Sequence, residues 1–156
     1  MKLKNFIFLI AAILLLAASA GAEDAAHHKI RRQAQKAYTN GNWQDAFELY
    51  RQLSLEMQND PKRVGEDFIQ AGQCLRQLNR LNELDAFREN VIQRHAGNWR
   101  LMQDAAGSYS QNTHGGYMVA GEFHRGHHRG GGKYVNAIAR DRVRALQLMQ
   151  QSMGPA

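Results

Sequence analysis

A single cysteine, two prolines and 8% aromatic residues are sparse for a chain of 156 residues. With Cys74 alone no internal disulfide can form, so a folded domain here rests on its apolar core. Cys74 sits beside Leu75 in a helical run, with no helix start or histidine nearby, and reads as a small, inert core residue. Both prolines fall at segment edges, Pro61 after Asp60 and Pro155 after Gly154, where a helix begins or has ended. One long apolar run exists, Phe6 to Leu16, and it falls short of the ~20 residues that cross a bilayer. No cysteine follows it, which excludes a lipoprotein anchor.

That run stands behind Lys2 and Lys4 and before Ala18-Ser19-Ala20 and Ala20-Gly21-Ala22. A charged start, an apolar middle and small residues at a cleavage point are the three parts of a secretory signal. Residues 1–22 are therefore expected to be a cleaved signal peptide. Residues 23–156 would then be one mature domain, periplasmic or secreted. Contact with a membrane would come only through an uncleaved signal or through surface charge.

Charge is unevenly placed. From Glu23 to Asn98 there are 11 basic and 11 acidic residues, whereas Trp99 to Ala156 holds 7 and 3. A basic excess attracts nucleic acid, anionic membrane or acidic protein. Export argues against nucleic acid, leaving envelope polyanions or an acidic partner.

Apolar residues recur at helical spacing. Ile30, Ala34, Ala37 and Tyr38 make one stripe; Ala46, Phe47, Tyr50, Leu53 and Met57 the next; then Val64, Phe68, Ala71, Leu75 and Leu78. Leu84, Phe87 and Val91 follow, then Trp99, Met102, Ala106 and Tyr109. Asn42 and Asn82 stand where helix caps belong, each with an Asp three residues on. The hexapeptide Asn42–Phe47 is echoed by Asn82–Phe87, and the preceding helices match better at an offset of two residues less. Such internal repetition of helix pairs points to a stacked array. The first unit resembles a tetratricopeptide repeat, with Ala34, Gly41, Trp43, Ala46 and Tyr50 in that family's order. The second keeps Phe68, Gly72, Leu75 and Leu84 but lacks the turn glycine and the late aromatic. The resemblance implies an all-α fold, a short solenoid of about six helices that binds protein; an unrelated helical bundle is the alternative.

A third pair is split. One helix is expected from Asn98 to about Ser110 and its mate from Ala137 to Met153, capped by Asn136, with Val143, Leu146, Met149 and Met153 inward. Residues 114–136 form a glycine-rich insertion between them, where helix connections usually take about 2–8 residues. Tyr117–Phe123 and Lys133–Val135 have strand composition, so a small β-hairpin is expected, its tip running from His124 to Lys133.

Four chemistries compete at that tip. A phosphate loop fails on pattern, because Gly132-Lys133 is followed by Tyr134 and His127 occupies the first glycine position. His124, His127 and His128, with His114, could hold a metal, but the glycines remove the helical geometry and no Asp, Glu or Cys lies among them. Catalysis lacks a nucleophile with an orienting acid, so no enzyme and no cofactor is expected. A docking surface made of His124, Arg125, His127, His128, Arg129 and Lys133 is the reading preferred, beside a purely structural role for the hairpin. On α-helical spacing Asp141 would pair with Arg144 on the surface.

The run G-Y-M-V-A-G-E-F-H-R-G-H-H-R-G-G-G-K-Y-V-N, followed by R-D-R-V-R-A-L-Q-L-M, lies within Gly115–Met149. It resembles the N-terminal helical region of large exported bacterial alpha-2-macroglobulin-like proteins, and Arg125-Gly126 with Arg129–Gly132 is its most specific part. The resemblance covers about a quarter of the chain. It implies a leading interaction module, or a truncated part of such a protein. Protease trapping is not implied, since Cys74-Leu75-Arg76-Gln77 lies in a repeat helix without the glycine of a thioester motif and no bait region is present. The expected function is thus protein binding by an exported helical repeat, with self-association through the C-terminal helix possible. A histidine-based metal-binding protein and a polyanion- or membrane-surface-associated structural protein are the alternatives.

Overall fold

Three- and four-residue apolar spacing becomes helix throughout the computed structural model, which describes residues 24–154. The expected signal peptide, residues 1–22, lies outside the described residues. Helix α1 covers 24–39, followed by α2 (Trp43–Leu55), α3 (Val64–Gln77), α4 (Leu84–Arg94), α5 (Trp99–Gln111) and α6 (Ile138–Ser152). Strands β1 (Gly115–Val119), β2 (Glu122–Arg125) and β3 (Lys133–Asn136) separate α5 from α6. Among the described residues no helix is long and apolar enough to cross a membrane.

One apolar cluster joins all six helices. Ala34, Ala46, Tyr50, Phe68 and Leu75 of the expected repeat core are buried in it, while Trp43 and Gly72 are half-buried. Phe47 of α2 meets Phe87 of α4 edge-on at 5.9 Å, and Phe68 of α3 lies at the same distance from Phe87. Aromatic pairs in this geometry add about 0.5–1.5 kcal/mol beyond their burial. Cys74 is fully buried, and burial pushes its thiol up to about 11, so it stays protonated.

Two helix ends share one turn geometry. Gly41 takes a left-handed φ of 78° at the end of α1, its N–H bonds the Tyr38 carbonyl and the next N–H bonds Ala37. At the end of α3 Asn79 takes φ 57°, its N–H bonds the Arg76 carbonyl and the next N–H bonds Leu75. Asparagine tolerates that region better than other non-glycine residues, so it replaces the turn glycine the second unit lacks. The longer second turn is taken up by a 3-10 turn at Leu81–Glu83. Asn82 falls inside that turn, and neither it nor Asn42 donates or accepts a side-chain cap bond. Asn98 does cap α5, accepting from the N–H groups of Arg100 and Leu101.

Two expectations need correction. The fold is mostly helical but not all-α: the insertion is a three-stranded antiparallel sheet in the order β2-β1-β3 rather than one hairpin. Ala120 (φ 49°) and Gly121 (φ 87°) form a two-residue turn, pairing Val119 with Glu122, so the expected first strand folds back on itself. Strand β3 then pairs with the other edge of β1, which puts His124 and Arg125 within β2 instead of at a tip. The second correction concerns α6. Val143, Leu146, Met149 and Met153 are exposed, and Asp141, Ala145 and Leu148 face inward.

Gly116 is buried in β1, the middle strand of the sheet, and a Cβ there would lie 2.3 Å from the His124 carbonyl oxygen and 2.6 Å from the Phe123 ring. Gly97, in the α4–α5 turn, has nothing within 4 Å. Urea unfolding should show Gly116→Ala destabilised by about 1–3 kcal/mol, with Gly97→Ala within about 0.5 kcal/mol of the parent.

Candidate functional site

The side chain that organises the C-terminal half is Arg125. It points from β2 into the helices and is 1% exposed. Nε and Nη2 donate to the two oxygens of Asp85 on α4 at 2.8 and 3.1 Å; Nη1 and Nη2 donate to those of Asp141 on α6 at 2.8 and 2.9 Å. Nη1 also donates to the Thr113 carbonyl at the end of α5. All five guanidinium N–H groups are thereby used, which a planar fork permits and an ammonium would not. Arg140 donates to Asp85 at 2.7 Å and to Asp141 at 2.9 Å, and its guanidinium lies 4.3 Å from the Phe123 ring centre. His114 donates from Nδ1 to Asp141 at 2.8 Å.

Asp141 makes no pair with Arg144. Arg144 instead grips both oxygens of Glu89 at 2.9 and 2.6 Å, and the Tyr109 hydroxyl donates to the same carboxylate at 2.6 Å. Arg88 is fully buried beneath this network, stacked 3.7 Å from the Tyr109 ring centre, with Nη1 3.4 Å from Asp85. Its Nε and Nη2 have no hydrogen-bond partner, so the ring face carries part of the compensation. Burial alone would raise the pKa of Asp141, but hydrogen bonds from Arg125, His114 and Arg140 hold it well below the usual carboxylate range. Burial likewise opposes ionisation of Glu89, and Arg144 and Tyr109 outweigh it.

The expected docking residues therefore divide. Arg125 is not surface: its charge is taken up inside the protein. Lys133, His127 and Arg129 are exposed, while His124 and His128 are half-buried with ring centres 5.4 Å apart and planes tilted by 32°. Among the described residues no three His, Cys, Asp or Glu side chains gather to hold a metal. His114 is engaged by Asp141 rather than by the other histidines.

Two clefts that the sequence did not announce lie between the first helices of successive pairs. The cleft between α1 and α3, about 420 Å³, is lined by His28, Arg31, Arg32, Gln35, Arg63 and Gln70 among others. Its wall is pinned by Arg31, which donates to Asp67 at 2.9 and 3.0 Å while Asn59 donates to Asp67 at 3.0 Å. The cleft between α3 and α5, about 380 Å³, has Phe68, Gly72, Leu84, Gly107 and Ser108 in its lining, with Gln73, Gln103 and Gln111. Asp104 stands in the same cleft, its carboxyl raised by burial and by Glu66. It fits because residue 65 is glycine: a Cβ there would lie 1.8 Å from an Asp104 oxygen.

One signal for the buried acids was available in the sequence. Asp67 and Asp141 share the helical phase of the buried residues Ala71, Cys74 and Ala145, Leu148, so each interrupts a core stripe with a charge that demands a partner. The partners, 36 and 16 residues away, had no local mark.

Comparison with protein-family models, with curated proteins and with solved structures found no match for this chain.

Removing one member of a buried ion pair leaves its partner charged and unpaired, at a cost of about 3–5 kcal/mol. Arg125→Ala should show that loss in urea unfolding at neutral pH, with Arg129→Ala near the parent. Because folding depresses the pKa of Asp141, its contribution is complete above the ordinary carboxylate range and disappears as pH falls through and below that range. Asp141→Asn should therefore be less stable at neutral pH and show a flatter loss of stability on acidification. An unchanged acid slope would refute the assignment.

Proposed function

We propose that this chain is an exported helical-repeat module that binds another protein, and that the clefts between α1, α3 and α5 are its binding surface. The observation that carries the reading is that both clefts lie between first helices of neighbouring pairs, and that α3 lends residues to each. Their mixed apolar and polar linings, on successive first helices, suit a segment of a partner protein. The repetition of the turn geometry after α1 and α3 supports a short tetratricopeptide-like solenoid, in which a face of this kind runs along the first helices. On this proposal the resemblance of Gly115–Met149 to alpha-2-macroglobulin-like proteins is taken to mean that the module is the leading part of a larger exported protein.

Gly107 offers a clean test. A Cβ there meets only the Gln111 amide, at 3.9 Å, and glycine within a helix is disfavoured by about 1 kcal/mol against alanine, so Gly107→Phe should narrow the α3–α5 cleft, with an unfolding curve near the parent's verifying the fold. A photo-crosslinking residue at Gln103 should trap one discrete partner in cells, and Gly107→Phe should reduce that adduct about tenfold. The same probe at Arg51, exposed on α2 and outside both clefts, should trap none. Equal trapping at both positions would sink the proposal.

The exposed row of α6 carries a second proposal, self-association. Val143, Leu146, Met149 and Met153 are 52–79% exposed on one helix, an apolar stripe that monomeric surfaces seldom leave uncovered. Light scattering should find the purified chain larger than a monomer, and Leu146→Glu with Met149→Glu should return it to monomer mass.

A further inference from the structure

Among the described residues that line the cleft between α3 and α5 there is one acid, Asp104. Gly65 of α3 meets Asp104 of α5 near the start of both helices, and Arg76 of α3 donates to the Asn112 carboxamide at 2.7 Å near their ends. The two helices therefore run in the same direction, and the cleft has an acidic and a basic end. At the acidic end Asp104 is half-buried, and among the described residues its carboxylate has neither an ion pair nor a hydrogen bond. Burial, and then the charge of Glu66, raise its pKa. Helix α3 with its cap residue and helix α5 hold three arginines, and each is engaged elsewhere. Arg63 pairs with Glu66 at 3.3 Å. Arg100 stands one turn before Asp104 yet lies 4.3 Å from the Trp99 ring centre, and Arg76 is at the far end. The rest of the lining is apolar at Phe68, Ile69 and Leu84, while Gln103 and Gln111 present exposed carboxamides.

We infer, resting on the clefts as the binding surface, that the α3–α5 cleft takes a lysine or arginine side chain of the partner segment. Its methylene stem lies on the apolar lining and its charged head meets Asp104. A carboxylate partly withdrawn from water gains most from a charge-assisted hydrogen bond, because the local dielectric is low. Long basic side chains suit such a lining, since the stem packs on apolar surface while the head reaches a polar end. The carboxamide oxygens of Gln103 and Gln111 can accept N–H groups that Asp104 leaves free. An acidic side chain would face the charges of Asp104 and Glu66. An apolar one would strip water from the carboxylate and leave it without a partner.

Random peptides displayed on phage and selected on the purified chain provide the probe, with Gly107→Phe as the counter-selection for binding in this cleft. The expected peptides share one lysine or arginine position. A synthetic copy should bind Asp104→Asn about tenfold more weakly than the parent. Norleucine at the shared position keeps the stem and removes the charge, and should weaken binding to the parent by a similar factor. Arg76→Gln should leave the preference for a basic residue unchanged. Because folding raises the Asp104 pKa, its charged form costs stability at neutral pH, so Asp104→Asn should unfold in urea at or above the parent's midpoint. The norleucine peptide reads the same charge without altering the protein. Three results would overturn the basic occupant and leave the cleft as a binding surface: peptides that Gly107→Phe rejects but that share no basic position, equal binding to Asp104→Asn and parent, or equal binding of the norleucine peptide. If no selected peptide distinguishes the parent from Gly107→Phe, the cleft is not a binding surface and both readings fall.

Discussion

A guanidinium held between two carboxylates from different helices is the constraint on which the C-terminal half depends. Arg125 enters from the sheet and bridges Asp85 on α4 to Asp141 on α6, with a fifth N–H bond to the end of α5. Four elements meet at one side chain. Burying such charges costs several kcal/mol per ion, which the pairing and the complete set of hydrogen bonds offset. The net stabilisation is small against an apolar alternative of the same shape. What the arrangement supplies is orientation, because the fork satisfies all its partners in one pose only. The rotation of α6 follows. Once Asp141 must face Arg125, Ala145 and Leu148 face inward with it, and the apolar row of Leu146 and Met149 is left outside.

The same pose sorts the positive charge. Of the seven basic residues after Trp99, Arg125, Arg140 and Arg144 are engaged by Asp85, Asp141 and Glu89. Lys133 and Arg129 remain at the surface. The basic excess read from composition is therefore partly internal. Of the docking residues expected at His124–Lys133, Arg125 lies in the interior, and His124 stands in register with Tyr117 and Tyr134 of the neighbouring strands.

Much of the helical layout was legible. Helices α2 to α5 lie where apolar spacing put them, because a buried stripe at 3.6-residue period is a local property of the chain. The interruption between α5 and α6 was legible as well, from glycine content and strand-like composition. The hairpin was misjudged at Ala120-Gly121, where a non-glycine residue at positive φ gives little warning in sequence. The face of α6 was misjudged because Val143, Leu146, Met149 and Met153 form as good a stripe as the true one. Hydropathy favours them, and only a partner 16 residues away reverses the choice. Asn79 takes at the end of α3 the left-handed turn that Gly41 takes at the end of α1, a likeness the two residue types hide in the sequence.

By itself the sequence determined the local elements: six helical stretches, a glycine-rich interruption, a lone cysteine that can only pack, and a chain whose charge lies late. These are set by near neighbours, where spacing and side-chain type suffice. The tertiary structure alone decided which charges are buried, which face of α6 is open, and that two tyrosines and two histidines share one side of a sheet. Each of those depends on groups brought together from distant positions. A residue's own neighbours do not say whether a charge will meet its partner or meet water.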